Sequence, residues 1–189
     1  MSIGKTFVVI QPPDIEPLSL AEAKDHLNEL SGEHDNKILN LISSARKDLE
    51  KNTGRVLITQ TIKLMLDAFD DVVLIPRTPV QSIESITYLD ADGAEQSLLS
   101  TDYRLDVEST PARLTPAHGK SWPSTMPVNN AVSISFIAGY GNSGSDIEEP
   151  LKQAMKLYLT KMYDLDSRVG RYLDDAINSI YSDYCDPSR

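Results

Sequence analysis

Ile58-Thr59-Gln60-Thr61-Ile62-Lys63-Leu64-Met65-Leu66-Asp67 is where the chain changes its period. Ile58, Gln60, Ile62, Leu64 and Leu66 alternate with Thr59, Thr61, Lys63, Met65 and Asp67, the two-residue repeat of a strand with one buried face. Just before it the repeat is helical. Ile38, Leu41, Ile42, Ala45 and Leu49 fall at i, i+3, i+4, i+7 and i+11, and Gly54 supplies a stop, so the spacing predicts a helix over 35–53. Its other face, with Lys37, Arg46, Lys47, Asp48, Glu50 and Lys51, reads as solvent decoration.

On the N-terminal side, Ser19 and Glu22 make a capping box, Leu18 and Ala23 a hydrophobic staple, and Leu20, Ala23, Leu27 and Leu30 recur at helical spacing. A helix over 19–30 is expected, broken by Ser31 and Gly32. On the C-terminal side the strand pattern continues. Val72 to Ile75 stops at Pro76, and Ile83 to Leu89 reaches Asp90-Ala91-Asp92-Gly93, whose Asp-Gly pair predicts a hairpin back through Ala94 to Leu99. Tyr103, Leu105 and Val107 alternate, as do Val132, Ile134, Phe136 and Ala138, while Pro111, Pro116, Pro123 and Pro127 punctuate loops and short edge strands. After Gly144 the helical period returns. Asp146 reads as N-cap with Glu149 at N3, and Leu151, Ala154, Met155, Tyr158 and Met162 share one side. Leu173, Ala176, Ile177, Ile180, Tyr181 and Tyr184 then form a stripe over 170–184 that ends at Asp186 and Pro187.

No internal repeat, low-complexity tract or Gly/Ser linker divides the chain. The expected fold class is α+β: a helical bundle formed by the N- and C-terminal helices, with a small antiparallel β region inserted between them. The boundaries are 1–57 for the N-terminal helical part, 58–145 for the β region and 146–189 for the C-terminal helices.

With 189 residues, 40% of them hydrophobic and 24% charged, the chain can bury apolar cores without metal or disulfide staples. No apolar run approaches the length of a membrane span. The apolar run that ends at Gln11 meets two prolines with no small-residue cleavage site behind it, which is unlike a secretory signal and predicts a cytosolic product. The single cysteine, Cys185, can form neither an internal disulfide nor a zinc site alone. A net charge of −10 argues against nonspecific nucleic-acid binding by counterion release. The excess is concentrated: residues 64–108 carry ten acidic and two basic side chains, either a solvated face or a surface that repels a polyanion or meets a basic partner.

The sequence holds little catalytic apparatus. Gly139-Tyr140-Gly141-Asn142-Ser143-Gly144 satisfies G-x-G-x-x-G between a predicted strand and a predicted helix, the context of a dinucleotide site. In such a site the glycines open the helix and a second parallel strand with an acidic residue follows. Here Ser145 to Glu149 intervene and another helix follows, so a glycine-rich connecting loop is the better reading. Gly4-Lys5-Thr6 resembles the end of a phosphate-binding loop but lacks the upstream glycine and strand. His26, His34 and His118 have no metal-ligand spacing, no serine sits in a nucleophile elbow, and Cys185 has no neighbouring histidine or basic residue. Asp70-Asp71, Glu148-Glu149 and Asp174-Asp175 are adjacent pairs, whose carboxylates point apart on strands and helices. No catalytic, cofactor-binding or metal residue is assigned.

Aromatic placement is more informative. Five of eight tyrosines follow residue 157: Tyr158, Tyr163, Tyr172, Tyr181 and Tyr184. Tyrosine joins a large apolar body to a polar tip and is favoured at protein interfaces. The segment 168–189 is short, amphipathic and tyrosine-bearing, and is expected to be expendable to the main core. Trp122, between Ser121 and Pro123, can anchor either the β region or a neighbour.

Several local signatures, in order, resemble the head-to-tail connector proteins of long-tailed bacteriophages, also called adaptor or head-completion proteins, in the larger form with a β insertion. They are Glu16-Pro17-Leu18-Ser19-Leu20-Ala21-Glu22-Ala23-Lys24 with His26-Leu27; Ile38, Leu41-Ile42, Ala45-Arg46 and Thr53-Gly54-Arg55; Gln60-Thr61; and Pro79-Val80 with Ser82-Ile83. Tyr88, Asp90 and Gly93 follow, then Tyr103 with Asp106, Pro111-Ala112-Arg113, Trp122-Pro123, Ala138-Gly139-Tyr140-Gly141 and Pro150-Leu151-Lys152-Gln153-Ala154. One departure is Asn28, where the family often has a basic residue. The resemblance implies a structural protein of the virion head-tail junction, made in the host cytoplasm. It would form a ring, typically of twelve subunits, beneath the portal protein, extend the channel through which genomic DNA passes without specific binding, and carry the stopper or tail-completion protein. Tyr172, Ile177, Ile180, Tyr181 and Tyr184 are the residues expected to dock on the portal. Ile38, Leu41, Ile42, Ala45, Leu49, Leu151 and Met155 are expected to pack the core or the subunit contacts. The rival readings are an unrelated virion or host protein-binding module and a nucleotide-binding enzyme using the Gly139–Gly144 loop.

Overall fold

A computed structural model describes residues 5–163 and 167–185. Gly4 of the Gly4-Lys5-Thr6 stretch, and Asp186 and Pro187 at the expected end of the last helix, lie outside the described residues. The chain is mixed α and β and divides into two compact units, residues 1–12 with 59–139 and residues 13–58 with 140–189.

Among the described residues the first unit holds eight strands: β1 (Lys5–Gln11), β2 (Gln60–Leu66), β3 (Val73–Ile75), β4 (Val80–Leu89), β5 (Glu95–Ser97), β6 (Tyr103–Asp106), β7 (Ala112–Pro116) and β8 (Val132–Ala138). They form a five-stranded sheet in the order β1-β2-β8-β4-β5 and a three-stranded sheet in the order β3-β7-β6, with antiparallel pairing throughout. The alternation that announces β2 is a burial alternation: Gln60, Ile62, Leu64 and Leu66 are buried and the residues between them are not. Ile62 stands opposite Phe136 and Leu64 opposite Ile134, so β8 extends the same apolar face. The Asp90 to Gly93 hairpin forms as the sequence predicts. Asp90 closes it by accepting from the N–H groups of Asp92 and Ala94 and from the Gln96 amide. Trp122 belongs to this unit, stacked on Phe69 with ring centroids 4.6 Å apart, while Phe69 meets Tyr88 edge-on.

Two sequence expectations change here. The N-terminal boundary assigned residues 1–57 to the helical part, yet β1 pairs with β2 from Lys5↔Leu66 to Gln11↔Thr61 and belongs to the sheet. Ile58 is not the first residue of β2. It makes a lone parallel bridge to Gly141 within the helical unit.

The second unit carries four helices among the described residues: α1 (Leu20–Leu27), α2 (Asp35–Thr53), α3 (Glu149–Tyr163) and α4 (Ser167–Tyr184). The capping box forms, with Ser19 N–H and hydroxyl both donating to the Glu22 carboxylate. The α1 helix ends at Leu27, three residues short of the expected end, with Asn28 after it in left-handed conformation, and Leu30 is 97% exposed instead of continuing the stripe. The α2 helix has the predicted bounds and ends on left-handed Gly54. Asp146 does not cap α3. It closes a short 3-10 turn over Gly144–Asp146, accepting from the Ser143 N–H at 3.0 Å. One core joins all four helices, with Leu18, Ala23, Ile38, Ile42, Ala45, Leu49, Leu151, Ala154, Met155, Leu159, Ile177 and Tyr181 buried in it.

Arg46 corrects the reading of α2's outer face. Its side chain is 8% exposed, and its guanidinium donates to both Glu16 oxygens, at 2.7 and 3.2 Å, and to Glu50 at 3.2 Å. Glu50 also accepts from the Leu57 N–H at 3.1 Å. Burial alone would lower the Arg46 pKa, but the two carboxylates outweigh it and raise the pKa. The cluster therefore ties α2 to the segment before α1 and to the chain leaving Gly54.

Candidate assembly surfaces

The glycine-rich loop explains itself by packing. A Cβ on Gly141 would stand 2.1 Å from an Asp146 carboxylate oxygen, and one on Gly144 would stand 2.4 Å from the Pro17 carbonyl oxygen. Glycine is required at both places because another part of the helical unit occupies the space, and the anion held at the Ser143 N–H is the chain's own Asp146. The G-x-G-x-x-G spacing thus serves an internal turn.

Two of the three histidines make structural contacts, and His118 is exposed. His26 Nε2 lies 2.9 Å from the Thr160 hydroxyl, and His34 Nδ1 lies 3.1 Å from Glu29. No group of three or more His, Cys, Asp or Glu residues with metal-site geometry exists among the described residues. Cys185 is exposed, with its thiol 3.2 Å from the Asn52 carbonyl.

The structure divides the residues expected to dock on a portal. Ile177 and Tyr181 are 4% and 5% exposed and belong to the core, against which Ile180 and Tyr184 pack half-buried; Tyr172 alone is open, at 78% exposure. The expectation that the C-terminal segment is expendable to the core is therefore corrected. Polar anchors reinforce the seating of α4. The Tyr181 hydroxyl donates to Asp48 at 3.0 Å and the Tyr184 hydroxyl to Glu148 at 2.6 Å, while Arg55 Nε donates to the Tyr184 carbonyl at 3.2 Å. Burial, with the neighbouring Asp48 charge, pushes the Tyr181 phenol well above its usual pKa, and burial with Glu148 pushes Tyr184 up to about 12. Both phenols keep their protons and act as donors.

Ile38, Ile42, Ala45, Leu49, Leu151 and Met155 are fully buried inside the chain, and Leu41 is half-buried beside them. The structure places these seven in or against the core of the helical unit. Lys24, paired with Asp35 at 2.6 Å, and Lys152, paired with Glu22 at 3.2 Å, tie α1 to α2 and α3 across its surface.

On the β unit, part of the acidic excess is neutralised locally. Asp102 pairs with Lys120 at 3.3 Å and Asp106 with Arg113 at 2.8 Å, with Ser109 and Arg113 together holding the Asp106 carboxyl down at about 2. Asp71, Glu84, Asp92, Glu95 and Glu108 are exposed.

The surface that sequence reading missed is β1. Val8, Val9 and Ile10 are 46%, 50% and 49% exposed, and the strand pairs only with β2. Phe7 and Val9 stand opposite Leu64 and Ile62 and so continue the apolar face of the sheet, while Val8 stands opposite Lys63 on the other face. The signal was present as an apolar run, but it lacked the alternation used to recognise strands.

No protein-family model and no curated protein matches the sequence. Solved structures do. A chain from the neck of an empty gene transfer agent particle, computed with C6 symmetry, superposes with a TM-score of 0.75 at 25% identity, over 93% of this chain and 94% of that one. The two share one fold. A chain from the neck of the native gene transfer agent particle, computed with C12 symmetry, gives a TM-score of 0.64 at 26% identity, over 95% and 94% of the two chains. A chain from the virion of the native particle gives 0.74 at 24% identity, over 95% of each. The similarity spans both units, so the β unit is part of what these chains have in common.

Proposed function

We propose that this protein is a structural head-tail connector of a phage-like particle, an adaptor that assembles as a ring in the neck. The observation that carries the reading is the end-to-end match to a neck chain of a gene transfer agent particle. In this reading the helices from both ends of the chain form a bundle that carries the β unit as an insertion. Twelve copies surround a channel through which DNA passes, the portal lies on one side and a stopper or tail-completion protein on the other. The net charge of −10 suits a conduit to which DNA must not adhere. The exposed Tyr172 on α4 is the portal-facing anchor, with Ile177, Ile180, Tyr181 and Tyr184 holding the helix that presents it.

No catalytic step is needed, and the packing of Gly141 and Gly144 removes the main motif for one. The test is negative-stain microscopy of the protein with and without its portal. Closed rings on the portal are expected, and Tyr172→Glu should weaken that binding while leaving the melting temperature unchanged. Failure of the wild-type protein to bind portal would overturn the adaptor role.

A further inference from the structure

The two ends of the five-stranded sheet are unlike each other. At one end lies β1, seven residues long, about 23 Å, with no charged residue between Thr6 and Ile10. At the other end β5 covers only Thr87–Leu89 of the ten-residue strand β4, leaving Val80–Ser85, about 20 Å, paired on its β8 side alone. Proteins usually protect a sheet edge with charge, proline or a covering element, because its free N–H and C=O groups template further pairing. Past Lys5, the β1 edge has no charge, proline or pairing strand up to Ile10, and its side chains from Phe7 to Ile10 are apolar on both faces.

We propose that β1 of one copy of this protein adds, antiparallel, to the open Val80–Ser85 stretch of β4 in the next copy, joining their sheets edge to edge. The choice of a second copy as occupant rests on the ring reading above, and four observations on the chain favour this pairing. Following the ladder from β1 through β2 and β8 to β4 reverses direction three times, so β1 and β4 run oppositely. Two copies related by a small rotation therefore present these edges to each other in antiparallel sense. The lengths match. The faces match at the centre of the junction: Ile83 stands opposite core residue Phe136 and Ser82 opposite Ile137 on the other face, so setting Phe7 against Ile83 and Val8 against Ser82 continues both faces there, between the two register shifts that β4 makes against β8 at Val80/Ser82 and Ile83/Ser85. Finally, the only charge on β1 is Lys5, which within one copy pairs only at 3.9 Å with Asp70, and the only charge on β4 is Glu84; this register brings Lys5 and Glu84 close to each other.

The pairing is heterologous, one edge against a different edge, as a closed ring requires. Self-pairing of β1 would instead stop at a two-fold dimer.

In this register Val8 faces Ser82, both exposed, with Cα atoms at the roughly 4.5 to 5.5 Å of an antiparallel pair, which a disulfide can span. The experiment uses full-length protein in a Cys185→Ser background, with Val8→Cys and Ser82→Cys singly and together. Each variant is mixed with its portal, oxidised and run on a non-reducing gel, and rings on the portal are scored by microscopy in parallel. The double variant should give a ladder of species beyond the dimer, at least tenfold more abundant than in either single variant. A ladder without closed rings would support the strand pairing and remove the ring reading. Closed rings without a ladder would overturn the pairing and leave the ring intact, and absence of both would overturn both. Dimers from Val8→Cys alone, with nothing larger from the double variant, would overturn the proposal in favour of self-pairing. As a second arm, Val8→Lys with Ile10→Lys changes only exposed side chains and should abolish the subunit contact at unchanged melting temperature. An unaltered contact would also overturn it.

Discussion

Replacing Arg46 with Ala tests whether the cluster at the start of the helical unit holds the fold. The side chain is 8% exposed and makes three charge-assisted hydrogen bonds, two to Glu16 and one to Glu50. Removing one partner of a buried ion pair costs about 3 to 5 kcal/mol, because the remaining charge is left desolvated. Glu16, at 29% exposure, can regain water, and Glu50 keeps the Leu57 N–H, which places this case near the lower end, about 3 kcal/mol. At roughly 2 °C or more per kcal/mol the midpoint should fall by about 6 °C or more, followed by circular dichroism at 222 nm, which reports the helices. Arg46→Lys keeps the charge but not the planar fork and should fall between wild type and Arg46→Ala. Lys47→Ala, at the exposed next position, is the control and should stay within about 0.5 kcal/mol. If Arg46→Ala melted with Lys47→Ala, the cluster would contribute nothing and α2 would be held by its apolar stripe alone.

Ile42→Ala empties a fully buried site and should cost about 2 to 5 kcal/mol in chemical denaturation, whereas Leu41→Ala, at a half-buried neighbour, should cost clearly less. Equal losses would show that α2 is rotated from the orientation described. Gly144→Ala drives a Cβ against the Pro17 carbonyl and should destabilise by roughly 1 to 3 kcal/mol, with no change in melting on addition of nucleotide to either protein. Nucleotide-dependent stabilisation of the wild type would reinstate the dinucleotide reading. The Ser19 N–H and hydroxyl, with Lys152, hold the Glu22 carboxyl at about 2, below its ordinary 4.5. A carboxyl lowered on folding adds stability above its unfolded pKa and loses it as the pH falls through the folded one. Wild type should therefore lose more stability between about pH 4.5 and 2 than Glu22→Gln, and parallel acid titrations of the two would refute the capping box.

Where one side of an element is buried and the other is wet, the sequence carries the record. The stripe of α2 and the alternation of β2 were legible for that reason, and both elements lie close to where spacing predicted. Errors arose where local chemistry overrode periodicity. Leu30 continued the α1 stripe on paper, but Asn28 adopts the left-handed conformation that ends the helix. Arg46 looked like surface decoration because an arginine's charge predicts solvent, and only the fold brings Glu16, thirty residues away, against it. Gly141 and Gly144 satisfied a ligand-binding spacing for reasons of internal packing that no local pattern reveals. The short strand β7 lay hidden between Thr110 and Pro116 because its burial on one face involves only Ala112 and Leu114.

The β1 strand was missed for a different reason, and that reason bears on function. Alternation in a strand is caused by two unequal environments, one apolar and one aqueous. Phe7-Val8-Val9-Ile10 shows no alternation, as expected when both faces of a strand meet apolar surroundings, as they do in buried parallel strands. Within a single copy neither face is fully covered: Val8, Val9 and Ile10 are each about half exposed, and Phe7 is half-buried with the Arg77 guanidinium over its ring. A chain that acts alone gains nothing from such an edge and risks uncontrolled association through it. Joined to β4 of a neighbour, the same residues gain a second strand and an apolar face continued from the next sheet. The absence of period that hid the strand is thus what an assembly contact would leave in a sequence read one copy at a time.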